Sequence, residues 1–488
     1  MHQSLAHIDG IMIFVYFSAV LAIGLSSSWK QDGDSTMYFL SGRGMGWFSI
    51  GTSLIAADIL CGHLVGLSGM FGRALAIDME LMGIVGLVLL GWWVGPKFLK
   101  NKSITVTDFL TRRYSESAGT YVSAFYIIIY LLTRLSLVLF MGAFLIQLFS
   151  HSDESVTIMA IILIAGLYSI VGGFSAVVRT QSFQAVVMLF GLAAFFLGTA
   201  GTAATKNVSS IISDPVIGAS VNMDTGIPWI ALMVGIPLMA FWLWLTDQYM
   251  MQHVFGARSR KDLKKGTILT AIVKGLIFVP ILIWVSTSPV EIMTSPSTIQ
   301  LPPLYRGVVL ISIFSAMMAS LAGLYNSVSA LFTMDMYKRK HPSASERQLV
   351  LVGRLSTTAA VLVAALWMPL MAIVDWQRSS SLQSLLVFFA ATVMGVFLSG
   401  VVWKRTTALG AASALVFGTF LGCLRILGGY LVNSEVIDNQ FLIWLLHTNY
   451  LNFAALIFVF SVLTLIGVSI VVPSHGSNIV APYAQRNP

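Results

Sequence analysis

Read for the alternation of apolar and polar positions, the chain is a succession of apolar runs, each about twenty residues long, divided by short polar loops. A run of that length crosses ~30 Å of hydrocarbon as a helix. The runs fall at 10–27, 47–72, 79–98, 118–149, 155–172, 180–203, 228–255, 266–287, 304–337, 347–374, 379–402, 407–432 and 450–472. The pattern predicts an all-α polytopic membrane protein with about thirteen transmembrane helices. Ahead of the first run, "MHQSLAHID" has no basic n-region, and no A-x-A site follows, so a retained helix is expected there. "SASE", Ser343 to Glu346, reads as a capping box opening a later run.

Composition agrees. Of 488 residues 57% are hydrophobic and 10% charged, with a mean hydropathy of +0.85, too little charge for a soluble surface of this size. The net charge of +8 resides in inter-helix loops and forms no single patch, which argues against nucleic acid as a partner. "GPKFLKNKSI", "TRRY", "GARSRKDLKKG", "YKRKHPSASERQ" and "WKRT" alternate with the less basic "HSDES" and "NSEVIDNQ". The positive-inside rule then puts the N-terminus outside and the C-terminus in the cytoplasm of a multi-pass cell-membrane protein. Cys61 and Cys423 lie in apolar segments without metal-ligand or redox spacing. No metal-ligand pair, nucleophile elbow or catalytic carboxylate pair is evident, so no enzyme is expected.

Two runs, one starting near Trp47 and one near Pro228, are long, interrupted by Gly or Pro, and polar midway. Matched broken helices in two halves point to a transporter site between inverted repeats. The organisation expected is an extra helix and loop at 1–46, a first repeat at 47–203, an outer loop at 204–227, a second repeat at 228–402, and two further helices with a tail at 403–488.

Inserting an ionisable residue in a span costs ~2.5–3.5 kcal/mol on insertion scales, so each is a candidate for function. Asp58, His63, Glu80, Arg134, Asp247, Lys274 and Arg425 qualify, with Gln383 as a neutral companion. Glu80 and Lys274 have two readings: a buried ion pair joining two helices, or hydrogen-bonding ends for a polar solute. Trp242 and Trp244 offer apolar faces to a sugar ring, or simply pack. For a hard cation, backbone carbonyls of an unwound 56–59 segment and groups near Ala316 and Ser320 supply oxygens. Asp247, in "TDQ" near the inner end of the sixth core helix, suits a helix-end or gating hydrogen bond better than substrate binding.

The ordered motifs "CGHLVGLSG", "GWWVGPKFLKNKSITVTDFLTRRY", "YSIVGGFSAVV", "WLWLTDQYMMQ" and "NSVSALFTMDMY" resemble those of the sodium/solute symporter family, in its sodium/glucose cotransporter-like branch. The resemblance runs over most of the chain. It implies a five-plus-five inverted-repeat fold with discontinuous first and sixth core helices, alternating access, and Na⁺-coupled symport of a sugar or polyol. It implies solute contacts at His63, Glu80, Trp244, Lys274 and Gln383. It also implies a Na⁺ site from Ala56, Ile59, Ala316 and Ser320, with Asp58 beside it and Leu243 at the inner gate. The chain departs from the pattern where Ala240 and Leu243 replace a polar and an aromatic solute contact, Ala319 lacks a hydroxyl, and Gln181 stands for an Asp. Asp58, Asn in most of the sugar branch, makes proton coupling or uncoupled transport the alternative to Na⁺. A transporter-like solute sensor is the third reading. The partners expected are a small solute and membrane lipid, with no obligatory protein.

Overall fold

The computed structural model describes residues 7–27, 33–58, 73–150, 155–199, 230–287, 301–371, 376–434 and 439–472. Among these the structure is helical throughout, with one isolated bridge pairing Met45 and Ala257. The expected all-α fold is borne out. Nine described helical stretches are long and apolar enough to cross a membrane.

The chain opens with α1 (His7–Ser26) and α2 (Ser35–Leu40), followed by α3 (Trp47–Asp58). Next come α4 (Arg73–Leu89) and α5 (Gly95–Lys100), joined by a π turn at Leu90–Val94. Short α6 (Thr107–Arg113) precedes α7 (Glu116–Ile129), which runs through a π turn at Tyr130–Arg134 into α8 (Leu135–Ser150).

The helical segment α9 (Ser155–Thr199) is continuous in hydrogen bonding, but Gly173, at φ 53° and ψ −151°, breaks its direction. That backbone state is open to glycine and strained for other residues. Unbroken, 45 residues would run roughly 67 Å, more than twice the hydrocarbon. Instead the two limbs meet: a Cβ on Gly24 would lie 2.5 Å from Tyr168 Cβ and 3.4 Å from Thr180 Cγ2. The two runs expected at 155–172 and 180–203 are these limbs, folded back on one another about Gly173.

After α9 the chain resumes at a π turn, Ala231–Gly235, leading into α10 (Ile236–Phe241), a second π turn at Trp242–Thr246, and α11 (Gln248–Phe255). The remainder is α12 (Arg260–Thr287), α13 (Pro303–Ala330), α14 (Glu346–Met371), α15 (Trp376–Val402), α16 (Ala408–Asn433), α17 (Gln440–His447) and α18 (Tyr450–Val471). Central α13 packs against α9, α1, α8, α14 and α3, and α12 lies along α3 and α4. Its small residues explain how α13 is approached so closely: Gly323 leaves room for the Tyr249 ring and Ser312 seats in Gly191.

Local details correct one sequence expectation and place one candidate residue. The cap of α14 falls two residues later than "SASE": Gln348 Oε1 accepts from Ser345 N at 2.9 Å and Ser345 Oγ from Gln348 N at 3.4 Å. Glu346 instead reaches across to accept from Ser35 N at 3.0 Å. Arg425, one of the candidate ionisable residues, bonds within the protein. It donates to the Thr448 carbonyl at 3.0 Å and lies over Phe453. Buried Arg306, at the start of α13, pairs with Asp9 of α1 at 2.7 Å, tying the N-terminal helix to the centre.

Candidate solute and cation site

Three charges from three helices meet inside the bundle. Lys274 of α12 places Nζ 2.6 Å from Asp58 Oδ2, at the end of α3, and 2.5 Å from Glu80 Oε2 on α4. The side chains are 7%, 5% and 13% exposed respectively, so water contributes little to balancing them. Removing the shared lysine from such a buried set typically costs about 3–5 kcal/mol, since the two carboxylates stay buried without a counter-charge. The Lys274 ammonium also lies 5.5 Å from the centre of the Trp244 ring. Charged donors, charged acceptors and an aromatic face thus converge at one point, the equipment that binds a polyhydroxylated solute.

The local sequence of α4 explains how these groups fit. A Cβ on Gly83 would lie 2.8 Å from Lys274 Cε and 3.1 Å from Trp244 Nε1, and one on Gly86 2.7 Å from Trp244 Cδ1. Gly83 follows Glu80 by three residues, on the same face of the helix. The two glycines therefore form a notch beside the carboxylate into which the indole and the lysine stem are set.

The sixth core helix breaks at Asp247, in extended conformation with φ −73° and ψ 127°. This places Asp247 at the break itself, eight residues before the helix closes at Phe255. A broken helix inside a bilayer leaves backbone groups that need partners. Here α7 and the π turn after it supply them: Tyr126 Oη donates to the Thr246 carbonyl at 2.8 Å, and Tyr249 N donates to Tyr130 Oη at 3.1 Å. The Tyr130 hydroxyl in turn donates to Asp247 Oδ1. Arg134 closes the set, with Nη1 2.8 Å from Asp247 Oδ2 and its guanidinium over Tyr130, Trp242 and Tyr249. The two tryptophans thereby separate: Trp244 stands with Lys274, while Trp242 belongs to the arginine cluster and stacks on Tyr126. Leu243, between them, is partly buried against the core.

Of the residues expected at a cation site, Ala56, Asp58, Ala316 and Ser320 are all buried. Helix α3 ends at Asp58 and packs against α13, which carries the other two. Tyr249 links them: its hydroxyl donates to the Ala57 carbonyl at 3.2 Å, and its ring covers Gly323 one turn from Ser320. Ser320 Oγ donates to the Ala316 carbonyl at 2.8 Å, so these two expected positions are bonded to each other. Asp58 differs from this set because Oδ2 is committed to Lys274. Gln181 is locked by two bonds: Nε2 donates to the Ala319 carbonyl at 3.1 Å, and Oε1 lies 3.0 Å from His253 Nε2. Ile59, His63 and the Gln383 side chain lie outside the described residues.

A family model described as the sodium:solute symporter family matches residues 38–418. The chain belongs to that family. The symporter is 29% identical over 481 residues to mouse sodium/myo-inositol cotransporter 2, covering 87% of this chain and 71% of that protein. With rabbit sodium/glucose cotransporter 1 the figures are 28% identity, 95% and 78%. In fold it matches a Na⁺-coupled sialic acid symporter solved in a substrate-bound outward-open state, with a TM-score of 0.78 at 19% identity, over 97% of this chain and 99% of that one. The five-plus-five inverted-repeat class agrees with that match and with the break at Asp247.

Sequence reasoning did not select Tyr126, Tyr130, Tyr249 or His253. Tyrosines in an apolar run carry no charge penalty to flag them. The signal present was their spacing, 126, 130 and 134 at helical intervals ahead of an arginine.

Proposed function

We propose that this symporter carries a sugar or sugar-like polyol inward with Na⁺ by alternating access. The observation that carries the reading is Lys274, held between Asp58 and Glu80 beside Trp244. Asp58 lies one residue beyond the carbonyl that Tyr249 binds, so solute groups and cation-site groups share one stretch of α3. The relatives named for myo-inositol and glucose cotransport support the choice of solute class. In this reading Glu80, Trp244 and Lys274 contact solute, joined by His63 and Gln383, while Ala56, Ile59, Ala316 and Ser320 hold Na⁺. Asp58 sits at the junction of the two sites and orients Lys274. Leu243 and Asp247 belong to the inner gate, with the repeats at 47–203 and 228–402. The basic loops support a multi-pass cell-membrane protein with its N-terminus outside.

Uptake of labelled myo-inositol, glucose and galactose into proteoliposomes, driven by a Na⁺ gradient or a pH gradient, tests it. Accumulation of at least one of them that needs Na⁺ is expected. Accumulation driven by the pH gradient and indifferent to Na⁺ would transfer the coupling role to a proton at Asp58.

A further inference from the structure

The exposed apolar surface of α4 and α12 ends at one aromatic and cationic crevice. Along α4 the outward side chains are Leu81, Val85 and Val88, leading to Trp92 in the π turn; along α12 they are Val279, Leu276 and Ile272. The spacing, three or four residues at each step, makes each set a single helical stripe, the surface a membrane helix turns to acyl chains. Both stripes run toward the same end of the bundle. There Lys264 of α12 places Nζ 4.4 Å from the centre of the Trp92 ring, and Lys97 of α5 lies 4.9 Å from that of Trp93. The rings are 57% and 44% exposed.

The crevice is fixed by close packing beneath it. A Cβ on Gly91 would come 2.0 Å from Thr267 Oγ1, and one on Gly95 2.7 Å from Leu263 Cδ2. The π turn and the start of α12 therefore touch at backbone distance, one turn apart on either side of Lys264. Charge around it is of one sign. Lys97, Lys100, Lys261 and Lys265 are exposed, and the single acid of the 258–265 segment is turned inward. That acid, Asp262, accepts from Ser259 Oγ at 2.6 Å, from Arg258 and from the Trp47 amide, so it neutralises none of the lysines.

We propose that this crevice binds the headgroup of an anionic phospholipid. The phosphate takes the ammonium groups of Lys264 and Lys97, the indoles of Trp92 and Trp93 mark the glycerol level, and the acyl chains follow the two apolar stripes. A free anion has no use for the stripes, which commit the site to lipid. Helix α12 also carries Lys274, ten residues or roughly 15 Å further along, so the lipid grips the helix that holds the solute lysine.

The test is thermal stabilisation of the full detergent-solubilised chain by phosphatidylglycerol, with phosphatidylcholine as the neutral comparison. Phosphatidylglycerol is expected to raise Tm saturably and phosphatidylcholine not to. Lys97→Gln with Lys264→Gln should raise the half-saturating phosphatidylglycerol concentration by roughly five-fold per lysine. Lys264→Arg should retain binding, and Lys338→Gln with Lys340→Gln, in a different basic loop, should leave it unchanged. Equal stabilisation by phosphatidylcholine, or an unchanged half-saturation in the crevice variant, would overturn the proposal. So would an equal loss in the Lys338/Lys340 variant, which would mean diffuse attraction to the whole basic face.

Discussion

Asp58 and Lys274 are joined at 2.6 Å, so the one carboxylate of α3 faces the buried lysine of α12. Because Glu80 holds the same ammonium at 2.5 Å, the members of this set are unequal. Lys274→Gln leaves two buried carboxylates facing each other and should cost about 3–5 kcal/mol, seen as poor recovery or a large fall in Tm. Asp58→Asn keeps a hydrogen-bond acceptor and leaves Glu80 to balance the lysine, so it should fold while its KM for solute changes. The double variant Lys274→Gln/Asp58→Asn should recover part of the lost stability in the same thermal-shift assay. Equal losses for both single variants would contradict this hierarchy.

The Arg134–Asp247 pair stabilises a break in a helix as well as a charge. Arg134→Leu should therefore destabilise by about 3–5 kcal/mol, whereas Tyr130→Phe removes neutral hydrogen-bonding capacity and should cost about 1–3 kcal/mol. Denaturation of the purified variants distinguishes the two. Uptake should fall in both, because the part of the sixth helix after the break, Gln248–Phe255, loses its anchor.

Gly83→Ala puts a methyl 2.8 Å from Lys274 Cε, while the nearest atom to the same methyl on Gly275 is Ile84 Cδ1 at 3.8 Å. Both add the same carbon to a membrane helix. The first should reduce uptake at least ten-fold by displacing Lys274 or Trp244, and the second should leave it near wild type. Comparable uptake by the two variants would rule out the notch as the device that positions the lysine.

Asp262 sits ahead of the apolar stretch of α12, and hydrogen bonds from Ser259 and Arg258 hold its carboxyl below the usual carboxylate range. A depressed folded-state value stabilises the fold above the unfolded carboxylate range, and that stability is lost as pH falls through the folded value. Wild type should thus have a higher Tm than Asp262→Asn at neutral pH. The gap should narrow as the pH is lowered through the carboxylate range. A gap independent of pH would assign the effect to shape alone.

Much of the fold was legible because hydrocarbon leaves so few options. Apolar runs must be helices, and ionisable residues inside them must have partners. Glu80, Lys274 and Asp58 stood out for that reason, and the structure unites all three. The Glu80–Lys274 ion pair was one of two readings and is formed at 2.5 Å; the share of Asp58 in it was not legible, since nothing in the sequence shows that Asp58 is nearer to a lysine than to a cation. The reversal at Gly173 was anticipated by a gap between runs, but its cause is a backbone angle. Asp247 was expected to make a helix-end hydrogen bond and makes one with Tyr130, but the break itself was not legible, because "LWLTDQYM" shows no interruption by Gly or Pro where it occurs. The tyrosines that complete that break are uncharged, and hydropathy does not distinguish them from packing residues.

The capping of that break by α7 has a mechanical consequence. The joint between residues 246 and 249 is pinned by hydroxyls from the other half of the chain. In effect it is a hinge whose pin belongs to a different door. Residues 248–255 cannot swing without either dragging Tyr130 along or surrendering its bonds, so motion of one half is registered at once in the other.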